Sequence, residues 1–131
     1  MHITQESDYA VRIVYALGVS GERMDAKTIS EKTGVTLRFS LKILNKLVQS
    51  GIVKSYKGAK GGYVLAKEPK DINLKEIIEA IEGRYSLVKC IDSQFECERN
   101  MNGLCKFRHE FERITQQTNK ELEKVTFDRF L

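Results

Sequence analysis

Three cysteines and a histidine stand together in a chain otherwise free of thiols. They are Cys90, Cys97, Cys105 and His109, within the run CIDSQFECERNMNGLCKFRH. Grouped thiols point to a broken disulfide set, to redox chemistry or to a metal. An odd count cannot close a disulfide framework within one chain. The gaps are six residues, then seven, then three before the histidine. They are too wide for the C-x2-C pairs of a zinc ribbon or the C-x2-C-x2-C run of a two-cluster ferredoxin. The intervening IDSQFE and ERNMNGL are polar and can fold over a ligand. If a helix begins near Cys105, His109 lies one turn further along the same face. A set of inert or merely oxidisable thiols is the plainer alternative.

Something must hold such a loop. The chain has 131 residues, 41% of them hydrophobic, which suits one compact domain with an appended helix. No apolar run approaches the ~20 residues needed to span a bilayer. The N-terminus MHITQESDYAVR lacks the charged-then-apolar design of a secretory signal. A cytoplasmic location is expected, where thiols stay reduced and metal or redox roles gain weight. No Ser/His/Asp triad, carboxylate pair or phosphate loop is visible, so no enzyme is expected.

The net charge of +4 is modest but unevenly spread. Residues 38–67 hold seven cations (Arg38, Lys42, Lys46, Lys54, Lys57, Lys60, Lys67) and no acidic residue, whereas residues 90–131 are near neutral. That is the footprint of a polyanion binder, with a solvated basic face as the alternative.

Periodicity places these cations on recognisable parts. Ala10, Ile13, Val14 and Leu17 mark a first helix over 7–19. Asp25 caps a short helix at 26–33, Gly34 breaks it, and Thr36 caps a third helix over 37–50. On that helix Leu37, Leu41, Leu44, Leu47 and Val48 are expected to face the core. Arg38, Lys42, Asn45 and Gln49 form a polar stripe opposite. This is a helix-turn-helix pattern. Strands at 52–57 and 62–67, joined by GAKG, add a hairpin wing. Asn73 and Glu76 make a capping box for a helix bearing Leu74, Ile77, Ile78 and Ile81, ended by Gly83. A long helix over 105–126 carries Phe107, Phe111, Ile114, Leu122 and Val125, with Thr118 in the gap. This heptad-like stripe reads as a dimer seam, or else as a helix docked on its own domain. The fold class expected is mostly α with a small β-hairpin. It divides into a winged helix-turn-helix domain (1–83), a cysteine loop (84–105) and a dimerisation helix (106–131).

On this architecture Arg38 and Ser40 are expected at base edges and Lys42 at base or phosphate. Thr28 and Thr36, at helix starts, and Lys57 and Lys60, on the wing, are expected to grip phosphate. The wing glycines, Gly61 and Gly62 among them, would allow positive φ in the turn and let the backbone approach a phosphate. Tyr63 would touch the sugar–phosphate chain or pack on its neighbours.

The segments SDYAVR, GVTLRFSLKILNKLVQSGIVKS, KGAKGGYVLAKEP and INLKEIIEAIEG, then three cysteines before a long helix, resemble the IscR/NsrR/CymR family of bacterial transcription regulators. The likeness covers about residues 1–125. It implies a winged-helix homodimer on a palindromic operator of double-stranded DNA, read here as a repressor. For the three-cysteine branch it implies an iron–sulfur cluster, [2Fe-2S] or [4Fe-4S], on Cys90, Cys97 and Cys105 beside the dimerisation helix. The fourth ligand would be Asp8, which matches an aspartate that reaches across from the partner subunit in NsrR-like members, or His109, with water, an exogenous thiol or no fourth ligand as the remaining alternatives. An IscR-like histidine comes one residue earlier. No glutamate occupies the third helix, so the operator preference of IscR-like members does not transfer. A clusterless CymR-like regulator, acting through thiol oxidation or a partner protein, is the alternative. A small electron carrier would leave the basic helix and wing without purpose.

Overall fold

A computed structural model of the chain describes residues 3–88 and 105–131. The elements in order are α1 (Gln5–Ser20), α2 (Ala26–Thr33), α3 (Leu37–Gln49), β1 (Val53–Tyr56), β2 (Gly62–Leu65), α4 (Leu74–Glu82) and α5 (Lys106–Lys124). Short 3-10 turns occupy Pro69–Asp71 and Phe127–Phe130.

Four helix starts are written locally. Thr4, Asp25, Thr36 and Asn73 each accept a hydrogen bond from the backbone N–H three residues on, satisfying a donor that the helix cannot. Asn73 and Glu76 bond reciprocally, a complete capping box. The Asp25 carboxyl is held below its ordinary range, chiefly by the N–H of Thr28.

Caps mark where helices begin; burial decides which faces turn inward. Ala10, Ile13, Val14 and Leu17 of α1 meet Ile43, Leu44 and Leu47 of α3 and Ile77 and Ile81 of α4 in one core. Each fully buried aliphatic side chain stabilises by roughly 1.5–3 kcal/mol, against ~1 kcal/mol for a cap.

The core face of α3 differs from the sequence expectation. Ser40, Ile43, Leu44 and Leu47 are buried, whereas Leu37 and Leu41 are each 45% exposed. A small residue suits position 40, where α3 meets the turn from α2. Its hydroxyl donates to the carbonyl of Val35 at 3.4 Å, so its burial leaves no orphaned polar group.

The hairpin is antiparallel, with Val53 opposite Leu65 and Tyr56 opposite Gly62. Each strand is four residues long in place of the six expected, and Ile52, though buried, bonds its N–H to the carbonyl of Leu47 at the end of α3.

The long helix also departs from expectation. It ends at Lys124, and the chain returns to the winged-helix body. Val125 accepts from the N–H of Leu74 at 3.1 Å, and Phe127 donates to Ile72 at 3.0 Å. Phe127 is 2% exposed and belongs to the core. The division expected at 106 is therefore not a division in packing. Residues 125–131 seal the first domain. One face of α5 docks on its own chain: Thr115 accepts from the N–H of Leu87 at 3.2 Å, and Asn119 donates to the carbonyl of Tyr85 at 3.4 Å. A neighbouring face leaves Phe107, Phe111 and Ile114 exposed.

Candidate nucleic-acid interface

α2 and α3 meet at the turn Gly34–Val35–Thr36. Val35 is buried there, and its carbonyl accepts from Ser30 at 2.5 Å as well as from Ser40. That ties the turn to both helices and fixes their mutual angle. α3 then presents Arg38, Lys42, Asn45 and Gln49 to solvent, as the polar stripe predicts.

The cations are not equally available. Glu6 of α1 lies 2.9 Å from Lys46 and 3.7 Å from Lys42. Lys46 also donates to the carbonyl of Ile81. Lys67 pairs with Glu76. Among the described residues, Arg38, Lys54, Lys57 and Lys60 have no carboxylate within 4.0 Å. The positive field therefore concentrates at the start of α3 and along the wing, while Lys46 and Lys67 serve the fold. Lys42 can serve DNA only by sharing its charge with Glu6.

Other expected contacts fall differently. Ser40 is buried, so it has no surface to offer a base edge. Thr36 is exposed at the cap of α3. Thr28 is half-buried, and both its backbone N–H and its hydroxyl are engaged by Asp25, so it has little left to offer a phosphate.

The wing glycines are explained by the protein itself. A Cβ on Gly61 would lie 2.5 Å from the carbonyl oxygen of Tyr56, and one on Gly62 would lie 2.7 Å from that of Met24. Gly62 is buried, so its backbone approaches Met24 rather than a phosphate. Tyr63 exchanges two backbone hydrogen bonds with Met24 and packs on the core, which favours the packing role for its ring.

Two residues were missed. Tyr56 is the exposed aromatic of the wing, and the guanidinium of Arg23 lies 3.6 Å from its ring centroid. Arg23 also reaches the carbonyl of Lys60 at 3.4 Å. It braces the wing tip from the α1–α2 loop. No spacing rule links positions 23 and 56; only the isolated bridge between Met24 and Tyr63 brings them together.

Of the expected sulfur ligands, Cys90 and Cys97 lie outside the described residues. Cys105 is a free, half-buried thiol at the N-cap of α5, with no hydrogen bond from its side chain to the helix. The backbone N–H of His109 donates to the carbonyl of Cys105 at 3.3 Å, so the two are one turn apart as expected. Asp8 lies in the first turn of α1, 2.8 Å from Arg12, which also stacks on Tyr9. Both partners are about half exposed, so the pair is weak. No described helix is long and apolar enough to cross a membrane.

Two short helices at a fixed turn, the second basic on its open face and followed by a braced hairpin, define a winged helix-turn-helix protein. The chain belongs to the Rrf2 family of iron-dependent transcriptional regulators, whose pattern matches residues 3–131. It is 30% identical over 95 residues to the HTH-type transcriptional regulator NsrR of Bacillus subtilis, covering 71% of this chain and 65% of that protein. The match thus spans just under two thirds of that relative. Among solved structures, CymR, the global cysteine regulator of B. subtilis, superposes with a TM-score of 0.73 at 25% identity, covering 98% of this chain and 94% of that one. IscR of T. potens has the same fold, with a TM-score of 0.74 at 24% identity, covering 98% and 84%. These relatives are transcription regulators, not enzymes.

Proposed function

We propose that the chain is a homodimeric transcription regulator that binds a palindromic operator, and whose affinity for it depends on an iron–sulfur cluster. One observation carries this reading. The same chain presents an open basic helix and wing, and places Cys105 at the start of a helix with an uncovered apolar stripe.

Each part has a task that its geometry suits. Arg38 can reach base edges, and Lys57 and Lys60 can grip phosphate from the wing. Phe107, Phe111 and Ile114 of two copies can pack together and hold two recognition helices at the ~34 Å half-site spacing of an operator. Cys105 fits a soft metal group, and Cys90 and Cys97 would complete a three-thiolate set. Asp8 of the partner subunit or His109 would supply the fourth donor. Asp8 would first have to leave Arg12. A bound cluster would supply a redox-sensitive crosslink at the base of α5. A regulator needs to change operator affinity by only ~1–3 kcal/mol, which a displacement of a few ångströms between the two α3 helices can supply.

The likeness to CymR supports a second reading, a clusterless regulator acting through thiol oxidation or a partner protein. One experiment separates the two. The protein is purified anaerobically, reconstituted with iron and sulfide, and assayed for iron, sulfide and operator binding beside a Cys105→Ser variant. The cluster reading expects a coloured protein whose operator affinity shifts by roughly 5–150-fold on cluster loss. It expects Cys105→Ser to abolish that shift. A colourless, iron-free protein with unchanged operator binding would transfer the assignment to the clusterless reading.

A further inference from the structure

We propose that Leu37 and Leu41 read thymine through its 5-methyl group, making them specificity-determining residues of the recognition helix. This rests on α3 being the helix that enters the major groove. The two leucines are the first and fifth residues of α3, and each is 45% exposed. They are not core residues that failed to bury. The inward face is already filled by Ser40, Ile43, Leu44 and Leu47, each 0% exposed, and neither leucine joins the core cluster.

Their surroundings identify the occupant. They flank Arg38 and Lys42, and Arg38, Lys54, Lys57 and Lys60, which have no carboxylate within 4.0 Å among the described residues, keep this face positive although Glu6 shares the charge of Lys42. A second copy of this face would be repelled by the same charges, whereas a polyanion would be drawn to it. In the major groove of duplex DNA the apolar group on offer is the thymine methyl. Recognition helices meet base edges with their N-terminal residues, which is where both leucines stand. One turn separates them, ~6 Å along the axis, or about two base-pair steps of ~3.4 Å. The inference therefore specifies thymines within about two steps of each other in each half-site.

The test uses the full-length protein, prepared anaerobically, to enrich duplexes from a random-sequence DNA pool. Enriched duplexes are remade with deoxyuridine for thymidine, a change that deletes only the methyl. Wild-type protein should lose roughly four-fold in affinity per contacted methyl, with two sensitive positions per half-site. In Leu37→Ala and Leu41→Ala the thymine-to-uracil ratio should fall toward one at the matching position. Arg38→Ala should weaken binding but keep the ratio. Both leucines are exposed, so the variants should melt like wild type. An unchanged ratio in the leucine variants, or enriched sites without thymine, would overturn the proposal. Failure to enrich any duplex would instead overturn the DNA-binding reading beneath it.

Discussion

α3 and α5 both leave apolar side chains in water, but in different electrical settings. α3 exposes Leu37 and Leu41 beside Arg38 and Lys42, and carries no acidic residue over Leu37–Gln49. α5 exposes Phe107, Phe111 and Ile114 in a single stripe, and its charges are mixed, five basic against four acidic over Lys106–Lys124. Several of these neutralise one another locally, as in Arg113–Glu110 and Lys124–Glu121. Exposed hydrophobicity alone does not name a partner; its neighbours do. A one-signed field excludes a copy of itself and favours DNA. A balanced field permits self-association, and a continuous aromatic–aliphatic stripe rewards it.

The largest test of this contrast is Ile114→Asp. Ile114 is 38% exposed, so the subunit should still fold. Sedimentation should show monomers in place of dimers, and affinity for a two-half-site duplex should fall by roughly 100-fold as the second recognition event loses its tether. A variant that stayed dimeric would remove the seam from α5. Next in size is Arg38→Ala, expected to cost ~1–3 kcal/mol in operator binding and to relax preference at one base pair. Equal losses on all sequences would make Arg38 a phosphate contact. The smallest effect is expected of Lys60→Ala, which should weaken all duplexes alike and reduce the slope of log K against log salt by ~1. An unchanged slope would take the wing off the phosphate backbone.

Much of the fold was legible in the sequence because its signals are local. Thr36, Asp25 and Asn73 lie three residues before the N–H they cap, and Gly34 and Gly83 end helices where expected. Isoleucines at 77, 78 and 81 mark the face of α4 without ambiguity. The errors came where two choices were nearly equal. On α3 a serine displaced two leucines from the core, since the tight turn at Val35 rewards a small side chain that bonds its carbonyl. Hydrophobicity ranks Leu41 above Ser40, while the shape of the neighbouring turn ranks them the other way. The wing glycines do adopt positive φ at Gly58 and Gly62, as the turn requires, but the close approach at Gly62 is to Met24 and not to phosphate, a neighbour 38 positions away that no local pattern reveals.

The chain's periodicities and caps thus determined by themselves the order of helices, the hairpin and the basic segment, because each depends on residues a turn or a strand apart. Tertiary structure alone decided which cations remain open, by bringing Glu6 to Lys46 and Glu76 to Lys67. It alone folded Phe127 back into the core and set Arg23 against Tyr56. These outcomes depend on Coulomb and packing terms between groups remote in sequence, whose distances exist only once the helices have met.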